Sequence, residues 1–124
     1  MHGLDPEHIA SLRERLEQAR AALFVQLAGE LDVQAGALGA PLREPEASPA
    51  DNASNRTLSE LAQGTVEHTA RQLKLVRHAL AKLEDGAYGL CEQCDGPIGY
   101  SRLQARPEAR LCIVCQTRAE RPPR

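Results

Sequence analysis

Mostly apolar residues recur at intervals of three and four along two long stretches of this chain, with polar side chains between them. We call each such row of residues a seam. The first stretch follows Asp5-Pro6-Glu7, where a capping residue, a proline and an acidic residue mark a helix start. Its seam positions are Ile9, Leu12, Leu16, Ala19, Leu23, Leu27 and Leu31. So narrow a seam is typical of a helix that packs against one partner helix.

The second stretch starts at Ser48-Pro49-Ala50-Asp51, which predicts another helix start. Ser48 stands at the cap, proline follows, and the Asp51 carboxylate is placed to reach back to the cap amide. The seam positions that follow are Ala62, Val66, Thr69, Leu73, Val76, Leu80 and Leu83. Asp85-Gly86 predicts the end of this helix, because glycine readily takes the left-handed conformation found there.

Glycines and prolines between the two stretches predict a connection at roughly residues 36–48. Two helices with narrow seams and a short link are expected to pack antiparallel. The predicted organisation is therefore mainly α: residues 1–85 form a long antiparallel two-helix coiled coil with its tip near residues 42–53, and residues 86–124 form a second module. Alternatively, the hairpin only dimerises with another hairpin, or serves as an adaptor that pairs with any helix.

All the cysteines of the chain lie in the second module, in a C-x2-C-x17-C-x2-C pattern. This spacing is typical of a tetrahedral four-thiolate site that holds one structural zinc ion. The predicted ligands are Cys91, Cys94, Cys112 and Cys115. A closed site of this kind leaves no position for a metal-bound water, so it does not predict catalysis. The module is predicted to be a C4-type zinc finger with a C-terminal helical segment.

The competing interpretation of the cysteines is a redox dithiol of the thioredoxin type. That motif uses one C-x-x-C beside a βαβ unit, which this sequence does not predict. The N-terminal residues lack the basic start and apolar run of a signal peptide, and no stretch reaches the roughly 18 apolar residues of a membrane span. We therefore predict a cytoplasmic protein without a membrane partner, in which disulfides would not persist.

Charge and histidine placement narrow the function classes. The formal net charge is −2 and the pI is about 6.1, which disfavours a simple electrostatic DNA binder. The histidines are scattered with no paired nucleophile or acid, so the protein is predicted not to be an enzyme. They are His2, His8, His68 and His78, of which the last two are expected to face solvent on the second helix.

The segment KLEDGAYGLCEQCDGPIGYSRLQARPEARLCIVCQTRAE closely resembles the zinc-finger region of the DksA/TraR family of bacterial transcription regulators. The layout of the first helix and the tip agrees with the same family. The resemblance implies a two-helix coiled coil that projects from a globular zinc module. It also implies a protein that binds RNA polymerase as a monomer, without sequence-specific DNA binding, and inserts the coiled coil into the secondary channel to modulate transcription initiation.

The resemblance assigns the tip to the start of the second helix. The family pattern there is D-x-x-D-x-A, and this chain has Ser48, Asp51 and Ala53 at those positions. The second acid and the alanine match, and Ser48 replaces the first acid. The resemblance implies that Asp51 faces the polymerase active centre. From the sequence alone Asp51 is also a helix cap, and both interpretations stand.

A further implied contact is with the alarmone ppGpp, which family members bind at the polymerase surface through basic residues. Arg106 occupies one of those positions, whereas Leu75 and Gln116 stand where the family pattern has lysines. Two cationic contacts are thus absent, and ordinary ppGpp dependence is not predicted. The alternative function is a DNA-binding zinc-finger protein with a coiled-coil dimerisation arm, which the net positive charge after Ser101 keeps open.

Overall fold

The computed structural model describes residues 3–39 and 49–121, with side chains at residues 3–36, 60–61 and 63–121. Four helices follow one another along the chain: α1 (Pro6–Gly39), α2 (Pro49–Asp85), α3 (Tyr100–Ala105) and α4 (Ile113–Glu120). Among the described residues there is no strand, only an isolated antiparallel bridge between Leu90 and Pro97. The predicted mainly α fold class is confirmed, and no helix in this part of the chain is long and apolar enough to cross a bilayer.

The helix starts agree with the proline signals in the sequence. The first helix begins at Pro6, and Ile9 N donates a 3.0 Å hydrogen bond to Asp5 O. The second begins at Pro49. At its end Gly86 has φ +76° and Ala87 N donates to Lys82 O at 3.0 Å, which is the hydrogen bond of a Schellman C-cap. A left-handed glycine therefore ends α2 where the sequence predicted.

The predicted connection at residues 36–48 was too long at its first end, because α1 continues through Gly36 to Gly39. A glycine inside a helix costs about 1 kcal/mol relative to alanine, which weakens a helix without ending it. Residues 40–48, including most of the predicted tip and Ser48, lie outside the described residues.

The chain divides into two compact units. The first unit consists of Met1–Arg20 and Lys74–Arg124, and the second of Ala21–Leu73. The division into residues 1–85 and 86–124 remains a prediction. In the compact units, however, the cysteine segment belongs with the first turns of α1 and the last turns of α2.

A side-chain hydrogen bond joins α1 to α2 within each unit. In the first unit Arg13 of α1 donates a 2.8 Å hydrogen bond to the Glu84 carboxylate of α2. In the second, Gln26 Nε2 donates to Thr69 Oγ1 at 3.3 Å. Each unit therefore contains a contact between the two long helices.

Burial confirms most of the predicted seams and corrects one position. Leu12 and Leu16 of α1 are 1% exposed, and among the described side chains of α2 the buried ones are Thr69, Leu73, Val76, Ala79 and Leu83. Leu31, by contrast, is 46% exposed and does not continue the α1 seam. Half-buried Glu30 and Gln34 take the inward positions at this level of the helix. Leu31 therefore lies on a different face of α1 from Leu12 and Leu16, although its spacing continues theirs.

The core of the first unit joins the helices to the cysteine segment. Its buried residues are Leu4, Leu12, Leu16, Val76, Ala79, Leu83, Tyr88, Cys91, Ile98, Leu103 and Cys115. Those from the cysteine segment are too few to form a core of their own. They are buried in the same compact unit as the adjacent seam residues of α1 and α2, and the two groups together form its apolar core.

Candidate metal centre

The first cysteine pair lies on a tight turn that follows α2. Cys91 N donates to Gly96 O at 2.8 Å, and Asp95 N donates back to Cys91 O at 3.0 Å. Asp95 has φ +60°, a left-handed conformation that aspartate tolerates better than most residues. These bonds bend the chain between Cys91 and Gly96, so that both sulfurs of the pair face the same space.

The second pair lies at the start of α4. Cys112 is the N-cap residue, and Gln116 N donates to Cys112 O at 2.9 Å. Cys115 is in the first turn of the helix and is buried. Residues three apart lie on the same face of a helix, so the C-x2-C spacing brings these two sulfurs together.

The four Sγ atoms lie within 4.8 Å of one another. The distance from Cys94 Sγ to Cys112 Sγ is 3.8 Å. A tetrahedral site with four Zn–S bonds of about 2.3 Å has sulfur–sulfur edges of about 3.8 Å, so the spacing fits zinc. Thiolates are also the ligands that zinc prefers over the harder divalent cations. The cofactor of this segment is a structural zinc ion, as the sequence predicted.

The thiol pKa values show why the cluster suits a cation. Burial raises the pKa of the Cys91 thiol, but backbone N–H groups at Cys112, Cys94 and Gln93 lower it more, to about 6. Burial raises the pKa of Cys115 to about 12, and the neighbouring sulfurs add to the effect. One thiolate therefore forms readily, while further ionisation is opposed by charge already present. A divalent cation removes that opposition.

A polar cluster beside the first pair links three parts of the first unit. Glu92 Oε1 lies 2.5 Å from His78 Nε2 on α2, and its other carboxylate oxygen accepts from Arg110. The backbone N–H of Glu92 also donates a 3.0 Å hydrogen bond to Arg110 O. Burial raises the pKa of Glu92, but the hydrogen bonds with His78 and Arg110 hold it below its usual value. Glu92 is thus an ionised bridge between α2 and the loop before the second pair.

Other contacts fasten the cysteine segment to both long helices. Lys82 Nζ donates to Leu90 O at 3.2 Å, and Arg15 on α1 donates to Gln104 O at 2.5 Å. The His8 ring stacks on Tyr100 with centroids 3.7 Å apart. Since these contacts come from both α1 and α2, the segment is held at several points besides its metal site.

Tyr88 connects the end of α2 to the loop between the cysteine pairs. The side chain is 1% exposed and its hydroxyl donates to Pro107 O at 2.9 Å. Burial, followed by the negative charge of Glu108, raises the pKa of Tyr88 well above its usual value. The hydroxyl therefore remains protonated and continues to donate across the whole physiological pH range.

Removing that hydroxyl is expected to destabilise the first unit. Tyr88→Phe keeps the ring but leaves Pro107 O without its buried donor, which costs about 1–3 kcal/mol. Urea unfolding of the zinc-loaded protein measures the loss. Tyr100→Phe is the matched control, because that residue contributes its ring to the stack on His8 and should change stability little. Equal stability of the two variants would contradict the role given to the Tyr88 hydroxyl.

The remaining predicted functional residues lie in different parts of the chain. Asp51 and Ala53 are in the first two turns of α2, within the second unit, and their side chains lie outside the described residues, as does Ser48. Arg106 is the C-cap of α3, with its backbone N–H bonded to Arg102 O and its side chain exposed. The structure brings the four cysteines together and leaves the roles of the tip residues and Arg106 as predictions.

Sequence reasoning missed the bridge formed by His78, Glu92 and Arg110. His78 is exposed, as expected, but it also contacts Glu92. These residues are 14 and 18 positions apart, and no periodicity relates them. The one available signal was an acidic residue directly after Cys91, which is too common on a surface to indicate a particular partner.

The C-terminal segment matches a known type of zinc finger, and a longer part of the chain is similar to curated proteins. Residues 86–121 match the family model of the prokaryotic DksA/TraR C4-type zinc finger. A Caulobacter vibrioides protein named RNA polymerase-binding transcription factor DksA is 40% identical over 78 residues, which are 63% of this chain and 55% of that protein. The Escherichia coli K12 protein of the same name is 39% identical over 72 residues, 58% of this chain and 48% of that one. The chain thus matches about half the length of these curated relatives.

The structural comparison extends beyond the zinc finger. Transcription factor DksA2 from Pseudomonas aeruginosa superposes with a TM-score of 0.76 at 29% identity, covering 94% of this chain and 85% of that one. The long helices are therefore part of the likeness, as the sequence resemblance implied. The match to the DksA/TraR C4-type zinc finger thus covers residues 86–121, and the likeness to DksA2 covers nearly the whole chain.

Proposed function

We propose that this protein is a transcription regulator that binds RNA polymerase and inserts the end of its helical hairpin into the secondary channel to modulate initiation. The proposal rests chiefly on the similarity to proteins named RNA polymerase-binding transcription factor DksA. The structural likeness to DksA2 over 94% of the chain supports the same function. One copy of the chain acts on one polymerase, in the cytoplasm.

The two compact units suit a division of work. The first unit has a metal centre, a shared apolar core and several polar contacts, so it offers a rigid binding surface. Rigid surfaces lose little conformational entropy on binding. The second unit contains the start of α2, where Asp51 and Ala53 match the family's tip pattern. The first unit accordingly supplies affinity, while the start of α2 changes the activity of the polymerase.

Zinc has a structural part in this function. Four thiolates complete its tetrahedral shell, so the ion maintains the binding surface and takes no part in chemistry. Arg106, exposed at the end of α3, contacts the polymerase and contributes to any ppGpp site. Leu75 and Gln116 supply no charge to such a site, and Gln116 already donates to Glu120 at 2.9 Å. Regulation without strict ppGpp dependence follows.

DNA binding by the zinc finger is the alternative from the sequence, and charge weighs against it. The matched finger, residues 86–121, contains five arginines and four acidic residues. One of those arginines, Arg110, is paired with Glu92. DNA-binding surfaces depend on unpaired basic residues that displace counterions from phosphates. The relatives are also named for binding polymerase rather than DNA.

A pull-down with purified core RNA polymerase tests the proposal. The zinc-loaded chain is expected to form a one-to-one complex, and adding the protein to a purified transcription reaction should change the amount of initiated transcript. Cys91→Ser, which removes one predicted ligand, is the negative control. No complex at micromolar concentrations would overturn the proposal. Sequence-specific duplex binding without polymerase, at physiological salt, would instead support the DNA-binding alternative.

A further inference from the structure

One face of α1 remains apolar although it does not face α2. Within the second unit, five exposed residues follow one another at spacings of three and four on this face: Ala21, Phe24, Ala28, Leu31 and Ala35. We call them the outer seam of α1. Phe24 is 58% exposed and Leu31 is 46% exposed. Every member of the outer seam is apolar.

The neighbouring stretches show that this composition is unusual. Continuing the same spacing toward the start of α1 leads to Glu17 and Glu14, both exposed and acidic. On α2 the corresponding outward positions are occupied by the exposed residues Glu67, Arg71 and Lys74. The solvent face of a two-helix coiled coil is normally polar in this way. The outer seam therefore has the pattern of a second helix-packing surface.

We propose that the outer seam packs against the outer seam of a second copy of this chain, with the two α1 helices antiparallel. A two-fold axis at the level of residue 26, on the outer-seam side of the helix, places Phe24 of one copy opposite Ala28 of the other, and Leu31 opposite Ala21. Because each of these two pairs occurs twice about the axis, the interface has four pairs, and in each of them a large side chain faces an alanine. At the next level Glu17 faces Ala35, so no like charges meet.

This alternation favours a second copy over another partner. An interface between two identical copies related by a two-fold axis needs a surface that is complementary to itself. The outer seam meets that condition only in the antiparallel sense. A parallel pairing in register would set Phe24 against Phe24 and Ala28 against Ala28, which alternates crowding with gaps. The absence of charge within the seam also offers nothing to steer an oppositely charged partner.

The dimer is expected to be weak and reversible. With two large side chains from each copy, the seam buries far less than the roughly 800 Å² per partner of a standard stable interface. We expect a Kd between about 10 μM and 1 mM, so dilute protein is monomeric. The purified chain alone forms this dimer, independently of polymerase binding.

Sedimentation equilibrium of the zinc-loaded full chain, up to about 1 mM, tests the dimer directly. The parent mass should rise toward twice that of the monomer. Phe24→Glu should weaken association about tenfold or more, because it places a carboxylate in the seam. Val33→Glu is the matched control: Val33 is 65% exposed on the same helix but outside the seam, so its variant should associate like the parent.

A residue exchange tests the antiparallel register. Phe24→Ala leaves alanine opposite alanine and should weaken the dimer. The double variant Phe24→Ala with Ala28→Phe restores the large-to-small pairing about the same axis and should recover it. Ala28→Phe alone adds the same apolar area but sets two phenylalanine rings against each other in this register, so it should weaken the dimer, whereas an effect of apolar area alone would strengthen it. Circular dichroism of each variant confirms that the helices remain, and the double exchange remains decisive if Phe24→Glu unfolds.

Three results would overturn the proposal. The parent staying monomeric at about 1 mM excludes the dimer. Equal weakening by Phe24→Glu and Val33→Glu places the contact elsewhere. A monomeric parent whose Phe24→Glu variant loses polymerase in the pull-down would assign the seam to polymerase instead. Since mass is measured without polymerase, failure of the dimer and failure of the proposed function are separate outcomes.

Discussion

Removal of zinc is expected to unfold the cysteine segment while most of the helical signal remains. Apparent zinc binding to four-ligand peptides provides about 10–16 kcal/mol, which is at least comparable with the whole stability of a small domain. Helices α3 and α4 contain 6 and 8 residues, whereas α1 and α2 contain 34 and 37. Far-UV circular dichroism should therefore fall only modestly when a chelator is added.

The shared core adds a second expectation for the apo protein. Leu4, Leu12 and Leu16 are buried in the same unit as the cysteine segment. When that segment unfolds, the first turns of α1 lose part of their packing. Trypsin should then cut at Arg13 and Arg15 faster in the apo protein than in the zinc-loaded protein, and readdition of zinc should restore protection.

Single substitutions separate the loss of metal from effects of the chelator. Cys91→Ser removes one predicted ligand and should reproduce the apo state, with less than one zinc per chain by metal analysis. Gln93→Ser changes an exposed residue of the same turn and should bind zinc normally. If freshly purified parent protein contains well under one zinc ion per chain, or if the chelated protein keeps its full protease resistance, zinc does not hold this unit together.

Features set by neighbouring residues were predictable from the sequence. The starts of both long helices depend on Pro6 and Pro49, and the end of α2 on Gly86, whose left-handed conformation a glycine adopts at little cost. The cysteine cluster follows from C-x2-C spacing, because a turn or a first helical turn brings such residues together. In each case the determining residues lie within one turn of the feature.

Features set by distant residues were not predictable. Leu4 lies before α1 and shares a core with Leu103, although nothing near either residue indicates the other. Leu31 has the same spacing as its predecessors in the seam but remains exposed, because an alternation of three and four fits two faces of one helix. Which face meets α2 is decided by the partner helix, and a single-helix pattern contains no such information.

The bridge at Glu92 is a further instance of the same limit. Its carboxylate meets His78 from α2 and Arg110 from the loop before the second cysteine pair. Each contact exists because the folded metal segment lies against the end of α2. Charged residues on a surface seldom show their partners in the sequence, and the energy of any one exposed pair is small. Only the folded first unit brings the three residues together.

Asp51→Asn is expected to abolish most of the effect on transcription while leaving polymerase binding nearly unchanged. Asp51 is the third residue of α2, where asparagine retains much of the capping capacity and the loss in helix stability is about 0.5 kcal/mol or less. The charge itself disappears. If the carboxylate acts on the polymerase active centre, the regulatory effect should fall about tenfold, which corresponds to roughly 1.4 kcal/mol.

Two further variants make the test of the tip specific. Glu60→Gln makes the same charge change at an exposed position later in α2 and should regulate like the parent. Ser48→Asp restores the acid that the family pattern has at that position, where aspartate also caps well, and should act more strongly in purified transcription at matched polymerase occupancy. Undiminished regulation by Asp51→Asn would reduce its carboxylate to a helix cap, and the proposed role of the tip would fail even with polymerase as the correct partner.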